Sequence, residues 1–351
     1  MTLTLEVWSW VKRIALKIPK FALGRLLSTV YIRLTSHGAG VLQRAPELER
    51  LIARATTTAR VDNWRADAFR ALAADGVSVP AIGAVALRAA VAASGGAPGR
   101  AEPPVDAWVC VATPVHFVAG MTSVSLTEDG VLHLDAAEAL ALAEDFNRVF
   151  GGAGARLVAN PAAGMLCVFD AHFDVATCDP ADMVGGEVFA FQPTGRDAPR
   201  LRRLMSEIEM WLFDHAANRI RTAAGRLPVT ALWLWGGGGV LTSTPQVQGW
   251  TSGRDPLFSA LGALSAPGAR QAGVAVIEEQ PGSAAWAQAQ DRWLAPAVVA
   301  LQDGRIERLD LSAGQRRFSV TRRFGLRFWR RARPWWESFE LEVEGKTAHG
   351  I

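Results

Sequence analysis

The feature that most constrains this chain is a run of seven residues, Val229 to Trp235, ending in Gly236, Gly237, Gly238 and Gly239. A run this apolar, stopped by glycine, reads as a strand buried on both faces. Such a strand needs neighbours in a sheet and helices to cover it. The rest of the chain supplies both. Ala107 to Phe117 reads as a second buried strand. Ser123 to Leu126 and Val131 to Leu134 read as strands around a turn at Glu128-Asp129-Gly130. Asp135 and Glu138 form a capping-box pair for a helix over Ala136 to Phe150. Strands are expected at Arg156–Ala159, Met165–Phe169, Val188–Phe191, Gly273–Ile277 and Ile306–Leu311. Helices are expected at Pro199–Ala224, Pro256–Ala263 and Ala284–Leu301, with a loop over 240–256. The expected fold class is α/β: a mixed sheet flanked by helices, with a small helical N-terminal part.

Four segments follow. Residues 1–35 form a basic N-terminal segment. Residues 36–104 form a helical region ending in the Gly/Pro-rich linker Ser94 to Pro104. Residues 105–312 form the α/β domain, and residues 313–351 an Arg/Trp-rich tail. At 351 residues, half of them apolar, the chain has material for a sizeable core. It has no apolar run of membrane-spanning length.

The net charge of +3 hides an uneven distribution. Residues 1–35 carry +5, residues 316–333 carry +8, and residues 36–315 carry −7. The central body therefore does not read as a nucleic-acid-binding domain. Leu3 to Ile18 can be drawn as a basic amphipathic helix suited to an anionic membrane surface. The reading we favour is a poorly ordered terminus, or a start codon placed upstream of the native one. Arg322, Arg323, Arg327, Arg330, Arg331 and Arg333 are interleaved with Phe324, Phe328, Trp329, Trp335 and Trp336. They read as a segment that packs its aromatics and exposes its arginines, with anion docking as the alternative. Cys110, Cys167 and Cys178 lack metal or disulfide spacing and read as buried thiols in a reducing cytoplasm.

Few constellations carry chemistry. The four glycines lack the Lys-Ser/Thr of a phosphate loop. Asp170, His172 and Asp174 alternate, but successive steps of about 7 Å along one strand face splay them too far apart for one ion. His116 ends a buried strand, a place where ligand contacts collect.

The segment Thr177 to Gly239 carries a resemblance. Asp179-Pro180, Gly185 or Gly186, Asn218-x-x-Arg221-x-x-x-Gly225-x-x-Pro228 and Leu232-Trp233-Leu234-Trp235-Gly236 resemble the archaeal-type, cofactor-independent phosphoglycerate mutases of the alkaline-phosphatase superfamily. Residues 112–120, 139–147, 204–211 and 293–309 are similar to bacterial proteins called regulatory protein, RpfE type, over roughly 105–333. The resemblance implies a phosphoglycerate-mutase-like domain and a regulatory role.

It also implies what is missing. The mutases need two divalent metals, a Ser or Thr nucleophile, an opening Asp-Gly pair and a late Asp-His pair. Here Ala181 replaces the His after Pro180, Thr230 replaces an Asn before the strand, and the only His beyond Gly239 is His349. The expectation is a non-catalytic regulatory protein with no catalytic residues, no metal and no cofactor. It would bind a small phosphorylated or carboxylated metabolite, or a protein partner. Asn218, Arg221, Gly236, Gly237, Gly238 and His116 are the expected ligand-binding residues. Asn218 and Arg221 share one helix face, and Arg221 could grip an anion bidentately. Bracing of the helix end against the strand is the other reading of that pair. The alternative function is an active metal-dependent phosphotransferase with a site remade around Asp170, His172, Asp174 and His116.

Overall fold

The computed structural model describes residues 29–34, 42–73, 77–93, 104, 106–160, 164–245, 247, 249–265, 272–327 and 329–339. The amphipathic segment Leu3 to Ile18 lies outside the described residues. The fold is α/β, built on two sheets flanked by helices.

The first sheet has six strands: β1 (Thr29–Leu34), β2 (Thr57–Arg60), β8 (Gly249–Ser252), β9 (Ala272–Ile277), β10 (Arg308–Ala313) and β11 (Arg316–Thr321). Their spatial order is β2-β11-β10-β1-β9-β8. β10, β1, β9 and β8 run parallel, and β11 and β2 add an antiparallel edge. Residues 29–34 were expected in a basic, poorly ordered segment; they form a central strand. Val30, Ile32 and Leu34 face one side, where Leu309 and Leu311 join them in a core covered by α1 (Pro46–Ala53), α8 (Trp286–Ala289) and α9 (Ala295–Gln302). Trp335 and Phe339 of the C-terminal segment, around α10 (Trp335–Ser338), close this core together with Phe324, whereas Trp329 is exposed, so the expectation that the tail packs its aromatics holds in part.

The second sheet is antiparallel: β3 (Trp108–Ala119), β4 (Val124–Val131), β5 (Ala155–Asn160), β6 (Gly164–Phe169) and β7 (Ala231–Gly239). The long β3 pairs with β7 on one side, and with β6 and then β4 on the other. Of the two apolar runs named above, β3 lies at its centre, and β7 runs beside it, paired with β3 alone among the described strands. Two expectations fail here. Glu128-Asp129-Gly130 lies inside β4 rather than at a turn, because a bulge lets the strand run on past Phe117 of β3. Val188–Phe191 forms a 3₁₀ turn, not a strand.

α2 (Trp64–Arg70), α3 (Ile82–Ala93) and α7 (Pro256–Leu264) belong to the layer between the sheets. α3 packs on α7 and also on β3 and β7. α4 (Ala136–Phe150) covers β5, and α5 (Ala198–Phe213) covers β7. The capping box of Asp135 and Glu138 forms as expected. The helix expected over 199–224 is broken: α5 ends at Phe213, and α6 (Ala216–Ala223) begins after His215, whose Nδ1 accepts the Ala217 N–H. Among the described residues no helix is long and apolar enough to cross a membrane.

Candidate functional site

The break between α5 and α6 turns the chain so that Asn218 points back at β7. Asn218 is 8% exposed. Its Nδ2 donates to the carbonyls of Leu212 and Val229, each at 2.8 Å, and its Oδ1 accepts the Val229 N–H at 2.8 Å. Arg221, one turn further, is also buried. Its Nε donates to the Leu227 carbonyl at 2.7 Å, and its Nη1 pairs with Glu138 at 2.9 Å. Glu138 also receives Arg226. These contacts fix the 212–230 corner against α4.

The glycines have an equally local cause. Gly236 takes φ +64° and donates its N–H to Thr177 Oγ1 at 3.2 Å. A Cβ on Gly237 would lie 2.0 Å from the Trp108 ring, and one on Gly238 would lie 2.4 Å from Ala81 Cβ. The space a side chain would need at Gly237 and Gly238 is filled by protein. His116 Nδ1 donates to the Pro228 carbonyl at 2.9 Å, tying β3 to the same corner.

Asp170, His172 and Asp174 are exposed on the turn after β6, with Asp170 facing Arg156. Among the described residues no three His, Cys, Asp or Glu side chains come together as a metal group. Cys110 and Cys167 are buried opposite each other on β3 and β6. Burial, helped by Asp182 and Asp179, pushes the Cys178 thiol up to about 11.

The most concentrated buried chemistry lies elsewhere, between the sheets. Arg65 on α2 donates Nε to Asp255 at 2.7 Å and Nη2 to Asp179. All three side chains are at most 15% exposed. The Arg65 guanidinium also lies over the rings of Trp64, at 4.6 Å, and Trp235, at 4.9 Å. Burial works against its charge, and Asp255 and Asp179 overcome that, so its pKa rises above the ordinary arginine value. Arg33 on β1 lies over the same Trp64 ring at 4.8 Å. Its Nη1 donates to Ser312 Oγ and the Gly314 carbonyl. No carboxylate comes within ion-pair distance of Arg33 among the described residues. Burial, with nearby Arg65 adding to it, pushes its pKa down to about 10 against the opposing effects of Tyr31, Asp182 and Asp255.

Residue-by-residue reading missed Arg65, Arg33 and Asp255. The available signal was indirect: Asp179 and Trp235 both belong to the motif quoted above, and Arg65 is where they meet.

No family model matches the chain. Over 109 residues it is 34% identical to 2,3-bisphosphoglycerate-independent phosphoglycerate mutase 2 of Methanothermobacter thermautotrophicus, covering 30% of this chain and 27% of that one. Over 59 residues it is 36% identical to a probable 2,3-bisphosphoglycerate-independent phosphoglycerate mutase of Geobacter sulfurreducens, covering 17% and 15%. The chain is a distant homologue of the cofactor-independent phosphoglycerate mutases. The alignments span about a quarter or less of these relatives. Among solved structures, the cofactor-independent phosphoglycerate mutase of Thermoplasma acidophilum aligns over 84% of this chain and 89% of its own, at 16% identity and TM-score 0.33. The PH0037 protein of Pyrococcus horikoshii aligns over 84% and 87%, at 9% identity and TM-score 0.35.

A mutase-type site implies a pair of divalent metals held by Asp and His. The described residues do not fit one. Asp179 and Asp255 are buried carboxylates that converge on one point, but the cation between them is Arg65.

Proposed function

We propose that this chain is a non-catalytic, regulatory derivative of a cofactor-independent phosphoglycerate mutase, acting in the cytoplasm by binding a small phosphorylated or carboxylated metabolite. The observation that carries the reading is the Arg65 bridge. A guanidinium holds two carboxylates in place as a metal would, but it is no Lewis acid: it neither activates a nucleophile nor takes a phosphoryl oxygen into a coordination sphere. The bridge thus keeps the geometry of a charged seam without its chemistry. The role as regulator rests on the resemblance to the RpfE-type proteins.

Asn218 and Arg221 spend their hydrogen bonds on the framework, which supports the bracing reading of that pair. Arg33 is the better seat for an anionic ligand. It is stacked on Trp64, held by two neutral oxygens, and lacks a carboxylate partner. A carboxylate or phosphate there would add a direct ion pair to the more distant charges of Asp182 and Asp255.

Thermal denaturation with 2- and 3-phosphoglycerate, with and without Mn²⁺, tests this. Binding to the native state raises the melting temperature by mass action, by about 2.7 kcal/mol of stability at a hundredfold excess over Kd. The expected result is a saturable rise, unchanged by Mn²⁺ and lost in Arg33→Met. A rise that requires Mn²⁺, with stoichiometric metal in the purified protein, would reverse the reading.

A further inference from the structure

A hollow of about 580 Å³ lies between α5, α6 and the segment that leads into β7. Its size suits a small organic ligand. Phe213 and Ala223 on the two helices, together with Pro228 and Val229, make its lining largely apolar. Asn218 lines it too, but the framework around Leu212 and Val229 takes up its amide.

The titratable groups that line the hollow are Glu209, His215 and Arg219. Two of them are answered within the fold. His215 Nε2 meets Asp145 at 3.2 Å. Arg219 Nη1 meets the Asp214 carboxylate at 3.0 Å and donates to the Asp214 carbonyl at 2.7 Å. Glu209 makes no ion pair among the described residues. Packing around it withdraws enough water to raise its carboxyl above the ordinary carboxylate range, and no cation lowers it. The residue as a whole stays open to solvent, so a ligand can reach it. Phe213 stands four residues further along α5, hence on the same face, and is 89% exposed.

We propose that this hollow binds an organic ammonium ion carried on an apolar body. The Glu209 carboxylate is its counter-ion, the Phe213 ring is a second contact for the cation, and the apolar lining seats the body. Charge decides the class. An anion of the kind proposed for Arg33 would be repelled by the unanswered carboxylate. A neutral apolar molecule would take water from that carboxylate and give nothing back. A cation supplies the missing charge, and the face of a phenyl ring attracts it further. The hollow and the Arg33 seat share no residue, so this inference does not rest on the ligand proposed for Arg33.

The test is isothermal titration of the full chain with phenethylammonium, with neutral phenethyl alcohol and anionic phenylacetate as probes of similar shape. Saturable millimolar binding of the ammonium ion, weaker binding of the alcohol and none of phenylacetate are expected. Glu209→Gln should weaken the ammonium ion about tenfold, as loss of one charge-assisted contact does. Phe213→Ala should weaken it about threefold. Added 3-phosphoglycerate should leave the titration unchanged. Glu209 and Phe213 are both exposed, so unchanged melting curves will show that the variants fold. No saturable binding of the ammonium ion at millimolar concentration, equal binding of all three probes, or full affinity in Glu209→Gln would overturn the proposal.

Discussion

Asn218 and Val229, eleven residues apart, close a ring of two hydrogen bonds in which the side-chain amide reads the backbone of the residue that leads into β7. The same amide holds the carbonyl of Leu212, at the end of α5. One buried side chain thus joins the end of α5, its own helix α6 and the segment that leads into β7. Asn218→Leu should leave the Val229 N–H and two carbonyls without partners, at about 1–3 kcal/mol for each group that water cannot reach. A loss of roughly 2–4 kcal/mol in urea denaturation is expected. Unchanged stability would assign Asn218 to a ligand instead.

Gly237 and Gly239 stand two residues apart on β7 and should behave in opposite ways. At Gly237 a methyl group would sit inside the Trp108 ring system, while at Gly239 nothing lies within 4 Å. Gly237→Ala should cost several kcal/mol or prevent folding, since a packed core resists even one added methyl. Gly239→Ala should stay within about 0.5 kcal/mol of the wild type. Expression and melting temperature of the two variants give the comparison. Equal behaviour would mean that Trp108 does not pack where β7 turns to glycine.

Removing Arg65 should leave Asp179 and Asp255 buried without a counter-charge. Arg65→Met should therefore destabilise the protein by about 3–5 kcal/mol. Adding Asp255→Asn to that variant should recover part of the loss, because one of the two stranded charges is gone. A double-mutant cycle measures the coupling. Additive losses would show that the pair does not interact across the seam.

Asp310 yields a pH dependence. It lies buried on β10, accepts from Ser319 Oγ at 2.6 Å and pairs with Arg308 at 3.0 Å. Burial raises its carboxyl above the ordinary carboxylate range. The protonated form thus favours the folded state. Its contribution is fully present below the unfolded value, near about 3.9, and is lost as the pH rises through the folded one. Asp310→Asn cannot titrate. Its stability relative to the wild type should therefore fall as the pH is lowered from about 7 to about 4. A difference constant across that range would remove the effect.

The strands that could be read from the sequence were those whose burial is two-sided. β3, β6, β7 and β9 are nearly continuous apolar runs, and each lies where its run ends. Of the strands that escaped notice, β1, β2 and β11 carry charge, and the uncharged β8 lies within what reads as a loop over 240–256. β1 alternates Val30, Ile32 and Leu34 with Tyr31 and Arg33, among basic neighbours, and reads as part of a charged terminus. β11 opens on Arg316 and Arg317, and β2 is Thr57-Thr58-Ala59-Arg60. Their polar faces are supported by partners far away in the chain, as when Arg317 meets Asp67. No local pattern records such a contact. The same holds for the candidate site. The segment 218–239 was visible as a motif because it is contiguous. The Arg65 bridge joins residues 114 and 190 positions apart, and only the folded chain brings them together.

The most direct test is to incubate the full chain with 3-phosphoglycerate and Mn²⁺ and follow formation of 2-phosphoglycerate by phosphorus NMR, with melting curves on the same samples. The expected result is a raised melting temperature without interconversion, since Arg65 holds Asp179 and Asp255. Interconversion at an enzyme's rate, with stoichiometric bound Mn²⁺, would show that a metal site assembles and that the chain is an active mutase.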